Sequence, residues 1–317
     1  MPEAKPILPV IAGPTASGKT GLAVELALRL DGEVVSADSM QVYQTLQIGT
    51  ARPTAAEMRG VPHHLLGFLP LTEKYSVARY AQDARSAIAA VRARGRLPIL
   101  CGGTGLYIDA VTDNLQFAGE GENPALREEL AHRAEEGAES LLEELRAVDP
   151  ETAGRLHPSN RGRIIRALEL YYTTGMTMSE QLRFSRSVPP PFEARRIVLD
   201  CRERAVLYDR INRRVDAMLA AGLLEEAEQA LAAPTAPTAL QAIGYKELAP
   251  YFAGRISLTE AVENLKRSTR RYAKRQLTWF RRRADACFLY IDDYPDEKGL
   301  ADAAQRLLAA PSEGTAG

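Results

Sequence analysis

A glycine-rich stretch near the start of the chain has the residue types and the spacing of a phosphate-binding P-loop. It reads GPTASGKT at residues 13–20, and it lies between an apolar run at 7–11, which predicts a buried strand, and a stretch of helical spacing. Glycines let backbone N–H groups turn toward a ligand, and the following helix adds the positive end of its dipole. Lys19 supplies a point charge, and the Thr20 hydroxyl can hold Mg2+. The motif has the form used for ATP binding, and it predicts a diphosphate or triphosphate site without fixing the reaction.

A carboxylate follows the second predicted strand, where Asp38 lies in the stretch SADSMQVY. Ligands of doubly wound sheets bind at the carboxyl ends of the strands, so we expect Asp38 to face the P-loop. There it can hold Mg2+ or accept a proton from an attacking nucleophile. Capping of the next turn is the alternative role.

The strand predicted at 97–101 is followed by two glycines and Thr104. A P-loop protein that hydrolyses nucleotides usually has an aspartate there, which organises Mg2+ and water. The glycines permit close approach of a ligand, and a tight turn from strand to helix is the alternative. The run IVLD at 197–200 does end in an aspartate, so ATP hydrolysis remains a weaker interpretation.

A parallel sheet is needed to bring these residues together, and the pattern of the chain predicts one. Up to about residue 113, short apolar runs alternate with helical stretches, as in a sheet with crossover helices. Residues 114–195 are charged, leucine-rich and helical in pattern. We expect an α/β fold, with a P-loop core (1–113 and 196–317) whose parallel sheet is flanked by helices, and a mostly helical insertion domain (114–195). The predicted strands lie at 7–11, 33–36, 97–101, 196–201 and 287–291, and the helices of the core at 18–30, 76–94 and 207–221, in a second stretch up to 233, and at 258–283.

The composition is that of an ordinary globular protein, with 317 residues of which 45% are hydrophobic. No apolar run reaches the length of a membrane span and no signal sequence is evident, so we expect no membrane association and a cytoplasmic location. The three cysteines form no CxxC pair, which argues against a zinc finger or a disulfide framework. We expect Cys101, Cys201 and Cys287 to be small buried hydrophobic residues.

Charge is distributed unevenly, although the net charge is only −1. Residues 120–151 contain eleven acidic and three basic side chains, whereas residues 255–283 contain ten basic and two acidic ones. The basic segment indicates a surface for a polyanion, and a solvated amphipathic helix is the alternative.

Eight short motifs occur in an order that resembles the tRNA dimethylallyltransferases. They extend over nearly the whole chain, from about residue 7 to 291, and their combination is far more specific than the P-loop alone. The motifs are GPTASGKT (13–20), SADSMQVY (36–43), IGTARP (48–53), VPHHLL (61–66), GGTGLY (102–107), RALE (166–169), AIGYKE (242–247) and AKRQLTWFR (273–281).

The resemblance implies a prenyl transfer in which the polyphosphate is a leaving group. The dimethylallyl group of dimethylallyl diphosphate would move to N6 of the adenosine 3′ to the tRNA anticodon, with Mg2+ as cofactor. Asp38 matches the general base, Arg214 matches the arginine that grips the diphosphate, and Lys19 and Thr20 complete the catalytic set. A solvated face is the alternative for Arg214 and its neighbours. The implied diphosphate-binding residues are Gly13, Thr15, Ala16, Ser17, Gly18, Lys19 and Thr20, with Thr20 also at the metal.

The resemblance also implies a tRNA-binding surface, which includes the basic C-terminal segment. Trp279 is expected in the core at helical spacing, with stacking on nucleic acid as the alternative. The chain departs from the family pattern at Gln47, at Gly67 and at 159–163, which puts details of tRNA contact in doubt. The implied tRNA contacts are Asp38, Ser39, Met40, Gln41, Thr104, Arg127, Arg163, Arg166, Gly244, Lys246, Lys274, Arg275 and Arg281.

Three other functions were weighed against tRNA prenylation. An adenylate isopentenyltransferase would share the chemistry but would not need the basic segment AKRQLTWFR. An ATP-dependent small-molecule kinase would need an arginine-rich lid, and the insertion here is acidic. A tRNA-binding protein without activity conflicts with the intact Lys19, Thr20 and Asp38. We expect a monomer that acts on tRNA and dimethylallyl diphosphate.

Overall fold

The computed structural model describes residues 5–117, 123–236, 239 and 242–310. Its described residues form one sheet of six strands, all parallel, in the order β3-β2-β4-β1-β5-β6. The predicted α/β fold with a parallel sheet flanked by helices is confirmed. The strands are β1 (Ile7–Ala12), β2 (Gly32–Ser36), β3 (His63–His64), β4 (Leu97–Gly102), β5 (Glu193–Asp200) and β6 (Ala286–Tyr290).

Within the described residues, most of the α-helices connect successive strands, four of them form a helical insertion before β5, and one follows the last strand. They are α1 (Lys19–Arg29), α2 (Ala55–Met58), α3 (Val77–Ala93), α4 (Gly105–Thr112), α5 (Pro124–Val148), α6 (Pro150–Ala153), α7 (Arg161–Thr174), α8 (Met178–Ser185), α9 (Arg204–Ala220), α10 (Leu223–Ala232), α11 (Tyr245–Phe252), α12 (Leu258–Phe280) and α13 (Glu297–Ala309).

Two compact units result. The described residues up to Thr112, together with those from Pro191 onward, form the first unit, which contains the sheet. The described residues from Asp113 to Pro190 form the second unit, and their regular secondary structure is helical.

Both faces of the sheet in the first unit are covered. Side chains of a strand alternate between the faces, so Val10 of β1 packs in one hydrophobic cluster and Ile11 in the other. The cluster of Val10 includes residues of α3, α4, α10, α11 and α12, and the cluster of Ile11 includes residues of α1 and α13. Strands buried on both faces explain the continuous apolar runs seen in the sequence.

Helix α12 carries the basic segment and has a clear inner face. Ser257 caps its start by accepting a hydrogen bond from the N–H of Glu260. The buried positions recur at helical spacing, and Arg267, Arg271, Lys274 and Arg275 lie exposed between them. Lys266 and Arg270 are partly buried and contact Asp216 and Asn212 of α9. The buried residues are Ala261, Leu265, Ala273, Gln276, Leu277 and Phe280.

The second unit has a hydrophobic core of its own, built from α5, α6 and α7. Leu130, Leu141 and Leu168 are completely buried in it. Helix α5 is interrupted at Gly137, whose backbone is extended. The sequence predicts a helical insertion at 114–195, but the unit ends at Pro190, because the residues from Pro191 onward lead into β5 of the first unit.

Several predictions about individual segments were wrong or incomplete. Strand β5 begins at Glu193 rather than at Arg196, because residues from Glu193 onward already pair with β1. Strand β3 has only two residues, too few for a periodic pattern, and it was not predicted. Helices α11 and α13 were not predicted either.

Two side chains are more exposed than predicted. Cys287 is exposed, whereas Cys101 and Cys201 are buried as expected. Cys287 lies near the start of β6, the strand at one edge of the sheet. Trp279 is not a core residue: it is 36% exposed, and its indole N–H donates a hydrogen bond to Asp109.

Candidate active site

The P-loop connects β1 to α1 and adopts backbone conformations that favour glycine. Gly18, the residue before α1, has a φ of 86°. Gly13 has a φ of 152°, and a Cβ atom there would lie 2.8 Å from the carbonyl oxygen of Leu199 and 2.9 Å from Oγ of Ser17. The strand-loop-helix arrangement therefore places the start of α1 at the carboxyl end of β1, where a helix dipole favours an anion.

Cationic side chains from two helices converge on this loop. Lys19 of α1 donates a hydrogen bond to the carbonyl oxygen of Pro14 at 3.2 Å. Arg210 of α9 donates to the carbonyl oxygen of Ala16 at 2.8 Å. A cleft of about 340 Å³ results, lined by Ala16, Gly18, Arg210, Arg213 and Arg214.

The electrostatics of the cleft favour an anionic ligand. Burial lowers the pKa of Lys19, and the nearby charge of Arg214 lowers it further. Burial also lowers the pKa of Arg214. Arg213, in contrast, is largely exposed and pairs with Asp209. All three arginines line the cleft, but only Arg213 is largely exposed, so the alternative of a solvated face applies to Arg213 alone.

Asp38 lies in the loop that follows β2, at the same edge of the sheet. Its Oδ1 accepts hydrogen bonds from the N–H groups of Met40 at 2.9 Å and Gln41 at 3.3 Å. In the part of the chain that the structure describes, its Oδ2 accepts no hydrogen bond. The charge of Asp38 partly offsets the effects of burial on Lys19 and Arg214, so the three side chains share one electrostatic environment. One anchored oxygen and one available oxygen suit a base that must be held in place.

The loops after β2 and β4 are joined to each other. The N–H of Thr104 donates to the carbonyl oxygen of Ala37 at 3.1 Å, and Oγ1 of Thr104 accepts from the N–H of Ser39 at 3.1 Å. A Cβ atom at Gly102 would lie only 2.1 Å from the carbonyl oxygen of Ala37. The first glycine of this motif is therefore required by close contact between the two loops, and Thr104 fixes the segment that carries Asp38.

Two residues of α12 complete the site, and the sequence analysis missed both. Gln276 is buried, and its side-chain amide accepts a hydrogen bond from the N–H of Thr15 and donates one to the carbonyl oxygen of Gly103, each at 2.9 Å. Burial raises the pKa of Tyr272, which also hydrogen-bonds with Thr104. Both lie in or next to the AKRQLTWFR motif, from which only the basic residues were predicted to belong to a site.

Possible ligands for a metal ion are few. Thr20 lies in the first turn of α1, beside the loop. Oγ of Ser17 is buried and has no hydrogen-bond partner within the described residues. Those residues contain no cluster of three or more His, Cys, Asp or Glu side chains suited to a metal. A metal here would rest on Thr20, on oxygens of a bound diphosphate and on water, which is how Mg2+ is often held.

The residues implied for tRNA contact fall into several groups in the first unit. Ser39, Met40 and Gln41 lie beside Asp38, and Lys274 and Arg275 are exposed on α12. Gly244 is buried at the start of α11, where Lys246 is exposed. Arg281, at the end of α12, donates a hydrogen bond of 2.9 Å to the buried carboxylate of Asp200.

In the second unit, Arg127 and Arg166 share one partner. Both donate to the completely buried carboxylate of Glu169, at 2.6 Å and 2.9 Å. Arg163 is exposed one turn away on the same helix as Arg166. The structure thus places two of the implied arginines side by side.

Comparison with known proteins places this geometry in a family. The model of the family described as IPP transferase matches residues 41–283. The chain belongs to this family. Members of the IPP transferase family with high similarity include tRNA dimethylallyltransferase 1 of Trichlorobacter lovleyi, 51% identical over 280 residues, which span 87% of this chain and 91% of that protein. A tRNA dimethylallyltransferase of Pelotomaculum thermopropionicum is 46% identical over 299 residues, 94% of each chain.

Solved structures of the family agree with the fold. The full-length tRNA isopentenylpyrophosphate transferase of Bacillus halodurans is 41% identical and matches with a TM-score of 0.69 over 96% of this chain and 97% of its own. A eukaryotic dimethylallyltransferase, crystallised in the course of acting on tRNA, is 29% identical and matches with a TM-score of 0.78 over 97% of this chain and 78% of its own. The resemblance drawn from the motifs is confirmed, and the protein is a prenyltransferase.

Proposed function

We propose that the protein transfers the dimethylallyl group of dimethylallyl diphosphate to N6 of the adenosine 3′ to the anticodon of tRNA, releasing diphosphate. The observation that carries this proposal is the P-loop cleft lined by three arginines, one of which, Arg214, interacts electrostatically with the buried Lys19 of the loop and with Asp38. The names of the related proteins support the same substrates.

The cationic cleft suits a diphosphate leaving group. The bond between the allylic carbon and the diphosphate oxygen breaks, negative charge accumulates on that oxygen, and the five-carbon fragment becomes cation-like. Lys19, Arg214 and the N–H groups of the loop are already in place, so they stabilise the developing charge without having to reorganise. Asp38 offsets only part of the cost of burying both cations in the free protein, and a bound diphosphate relieves the rest.

Asp38 is assigned as the general base that acts on the nucleophile, the amine of adenine. The adenine amine is weakly nucleophilic because its lone pair is delocalised into the ring. As the new N6–C bond forms, a proton leaves N6, and the available Oδ2 of Asp38 accepts it while Oδ1 stays anchored to Met40 and Gln41. Such help is worth roughly 10²- to 10⁴-fold in rate.

Mg2+ is proposed as the cofactor, held by Thr20 and by the substrate. The ion would neutralise charge on the departing diphosphate. The hydroxyl of Thr20 beside the loop fits this role. The protein supplies few ligands of its own, so we expect Mg2+ to bind with the diphosphate rather than before it.

The exposed cations suit the backbone of tRNA. Lys274 and Arg275 of α12, Lys246 of α11 and Arg163 of α7 are exposed, and contacts of this kind with phosphates weaken as salt rises. A base in a loop must leave its stack to reach an enclosed site.

No helix within the described residues has the length and apolar character of a membrane span. The monomeric state remains a prediction, which light scattering would test.

Label transfer tests the proposed function. Purified protein would be incubated with Mg2+ and dimethylallyl diphosphate labelled in the allyl group, with unmodified tRNA in one tube and AMP in another, while ATP consumption is followed. We expect label at the adenosine 3′ to the anticodon. Label in AMP alone would make the protein an adenylate isopentenyltransferase, and ATP consumption without transfer of label would make it a kinase.

A further inference from the structure

One carboxylate outside the reaction site holds an entire loop of the first unit. Glu226, on α10, accepts hydrogen bonds from three consecutive N–H groups, those of Gln47 at 2.9 Å, Ile48 at 2.8 Å and Gly49 at 2.8 Å. It also accepts a hydrogen bond of 2.7 Å from the hydroxyl of Tyr245 on α11. Successive N–H groups of this kind form a concave site for an anion, and here the anion is a side chain of the protein itself.

Close packing leaves this loop, residues 47–52, little freedom. A Cβ atom at Gly49 would lie 2.6 Å from the hydroxyl oxygen of Tyr245, so only glycine fits there. The N–H of Ala51 donates to the carbonyl oxygen of Ile48 at 2.9 Å, which closes a turn inside the loop. The two motifs IGTARP and AIGYKE are thus joined through Glu226.

The far side of the loop presents carbonyl oxygens to the reaction site. The side-chain amide of Gln41 donates to the carbonyl oxygens of Thr50 at 3.2 Å and Ala51 at 3.0 Å. The guanidinium of Arg214 also donates to the carbonyl oxygen of Ala51, at 3.5 Å. One residue of the loop therefore contacts both the cation assigned to the diphosphate and the glutamine implied for tRNA contact.

We propose that Glu226, with Tyr245, is a positioning residue that fixes the 47–52 loop and through it sets Gln41 and Arg214. This inference rests on the proposed function. The chain of contacts runs from the carboxylate to the N–H groups of the loop, and from the loop carbonyl oxygens to the two side chains. Glu226 itself touches neither substrate. Its loss should affect the use of both substrates, because one loop serves both side chains.

Glu226→Gln tests the assignment with little change in volume. The amide has one acceptor oxygen instead of two, and its NH2 group would face N–H donors, so the loop loses part of its hold. We expect kcat/KM to fall roughly 10- to 100-fold for dimethylallyl diphosphate and for tRNA, since small misplacements cost this much. Tyr245→Phe removes one of the four hydrogen bonds and should give a smaller loss of the same kind.

Glu228→Gln is the matched control. Glu228 is exposed on the same helix, so the variant makes the same charge change without touching the loop. Its kcat/KM should equal that of the wild type. Circular dichroism and thermal melts would establish that every variant is folded at the assay temperature.

A double-mutant cycle separates positioning from general destabilisation. If Glu226 acts through Gln41, the loss of tRNA affinity in Glu226→Gln with Gln41→Ala will be clearly smaller than the sum of the two single losses. Strict additivity of the two single losses would overturn the inference. Equal activity of Glu226→Gln and Glu228→Gln, in an assay in which the wild type transfers label, would overturn it as well. Failure of the wild type to transfer label would instead overturn the proposed function.

Discussion

The side-chain oxygen of Gln276 accepts a hydrogen bond of 2.9 Å from the backbone N–H of Thr15, although 261 positions separate them in the sequence. The same amide donates to the carbonyl oxygen of Gly103. One buried side chain of α12 therefore ties the basic helix to the P-loop and to the glycine turn after β4. The helix proposed to bind tRNA and the loop proposed to bind diphosphate are held in one arrangement by this contact.

Gln276→Leu should both destabilise the protein and weaken the use of dimethylallyl diphosphate. The substitution leaves the buried carbonyl oxygen of Gly103 without this donor, which costs about 1–3 kcal/mol, and the partly buried N–H of Thr15 without this acceptor. We expect a lower Tm and a higher KM for the diphosphate. Gln229→Leu, at an exposed position of α10, is the control and should change neither. A variant with unchanged Tm and KM would show that the contact has no such role.

Lys19→Met should abolish transfer and at the same time stabilise the free protein. Burial and Arg214 lower the pKa of Lys19, so the protonated amine is unfavourable in the folded state. We expect the Tm at neutral pH to rise by roughly 1–3 °C. Added diphosphate should raise the Tm of the wild type through binding and leave that of the variant unchanged. Lys298→Met, at an exposed position, is the control.

The pH dependence of this effect has a definite sign. Because the folded pKa of Lys19 lies below the ordinary value of 10.5, the unfolded chain binds more protons between the two values, and stability rises with pH there. The cost is complete below the folded pKa and vanishes above 10.5. The advantage of Lys19→Met over the wild type should therefore shrink as the pH rises through that window. An advantage that grows with pH would contradict the assignment.

Much of the candidate site could be predicted from the sequence, because the residues that define it are close together in the chain. The P-loop spacing, the preceding apolar strand and Asp38 after the next strand lie within one short segment. Gln276 and Glu226 could not be found in this way. Their hydrogen-bond partners lie far away in the chain, and these partners are backbone groups and a tyrosine hydroxyl rather than charged side chains. Two arginines donate hydrogen bonds to Glu169. Arg166 is three residues away on the same helix, a spacing that the sequence shows, whereas Arg127 lies on another helix, so its contact could not be predicted from spacing.

Glu169→Gln should destabilise the second unit at neutral pH. Burial raises the pKa of Glu169, but hydrogen bonds from Arg127 and Arg166 outweigh burial and hold it below the ordinary value of 4.5. A group of this kind contributes stability above its unfolded pKa and loses it as the pH falls through the folded pKa. We expect a loss of about 1–3 kcal/mol in the free energy of unfolding near pH 7.

The matched control for this variant is Glu151→Gln. Glu151 pairs with exposed arginines at the surface, and such pairs contribute about 0–1 kcal/mol. Denaturant unfolding of both variants, from pH 7 down through the folded pKa of Glu169 below 4.5, would measure the difference. The deficit of Glu169→Gln should narrow toward acid pH. Equal stability of the two variants at pH 7 would mean that the buried carboxylate does not hold the arginines as described.

The most direct test of the account is the single-turnover rate of prenyl transfer by Asp38→Asn with tRNA bound. Asparagine keeps an oxygen for the N–H groups of Met40 and Gln41 but cannot accept a proton. We predict a rate lower by roughly 10²- to 10⁴-fold, with a Kd for tRNA close to that of the wild type. A rate equal to that of the wild type, or a loss of tRNA affinity as large as the loss of rate, would contradict the role of Asp38 as the base.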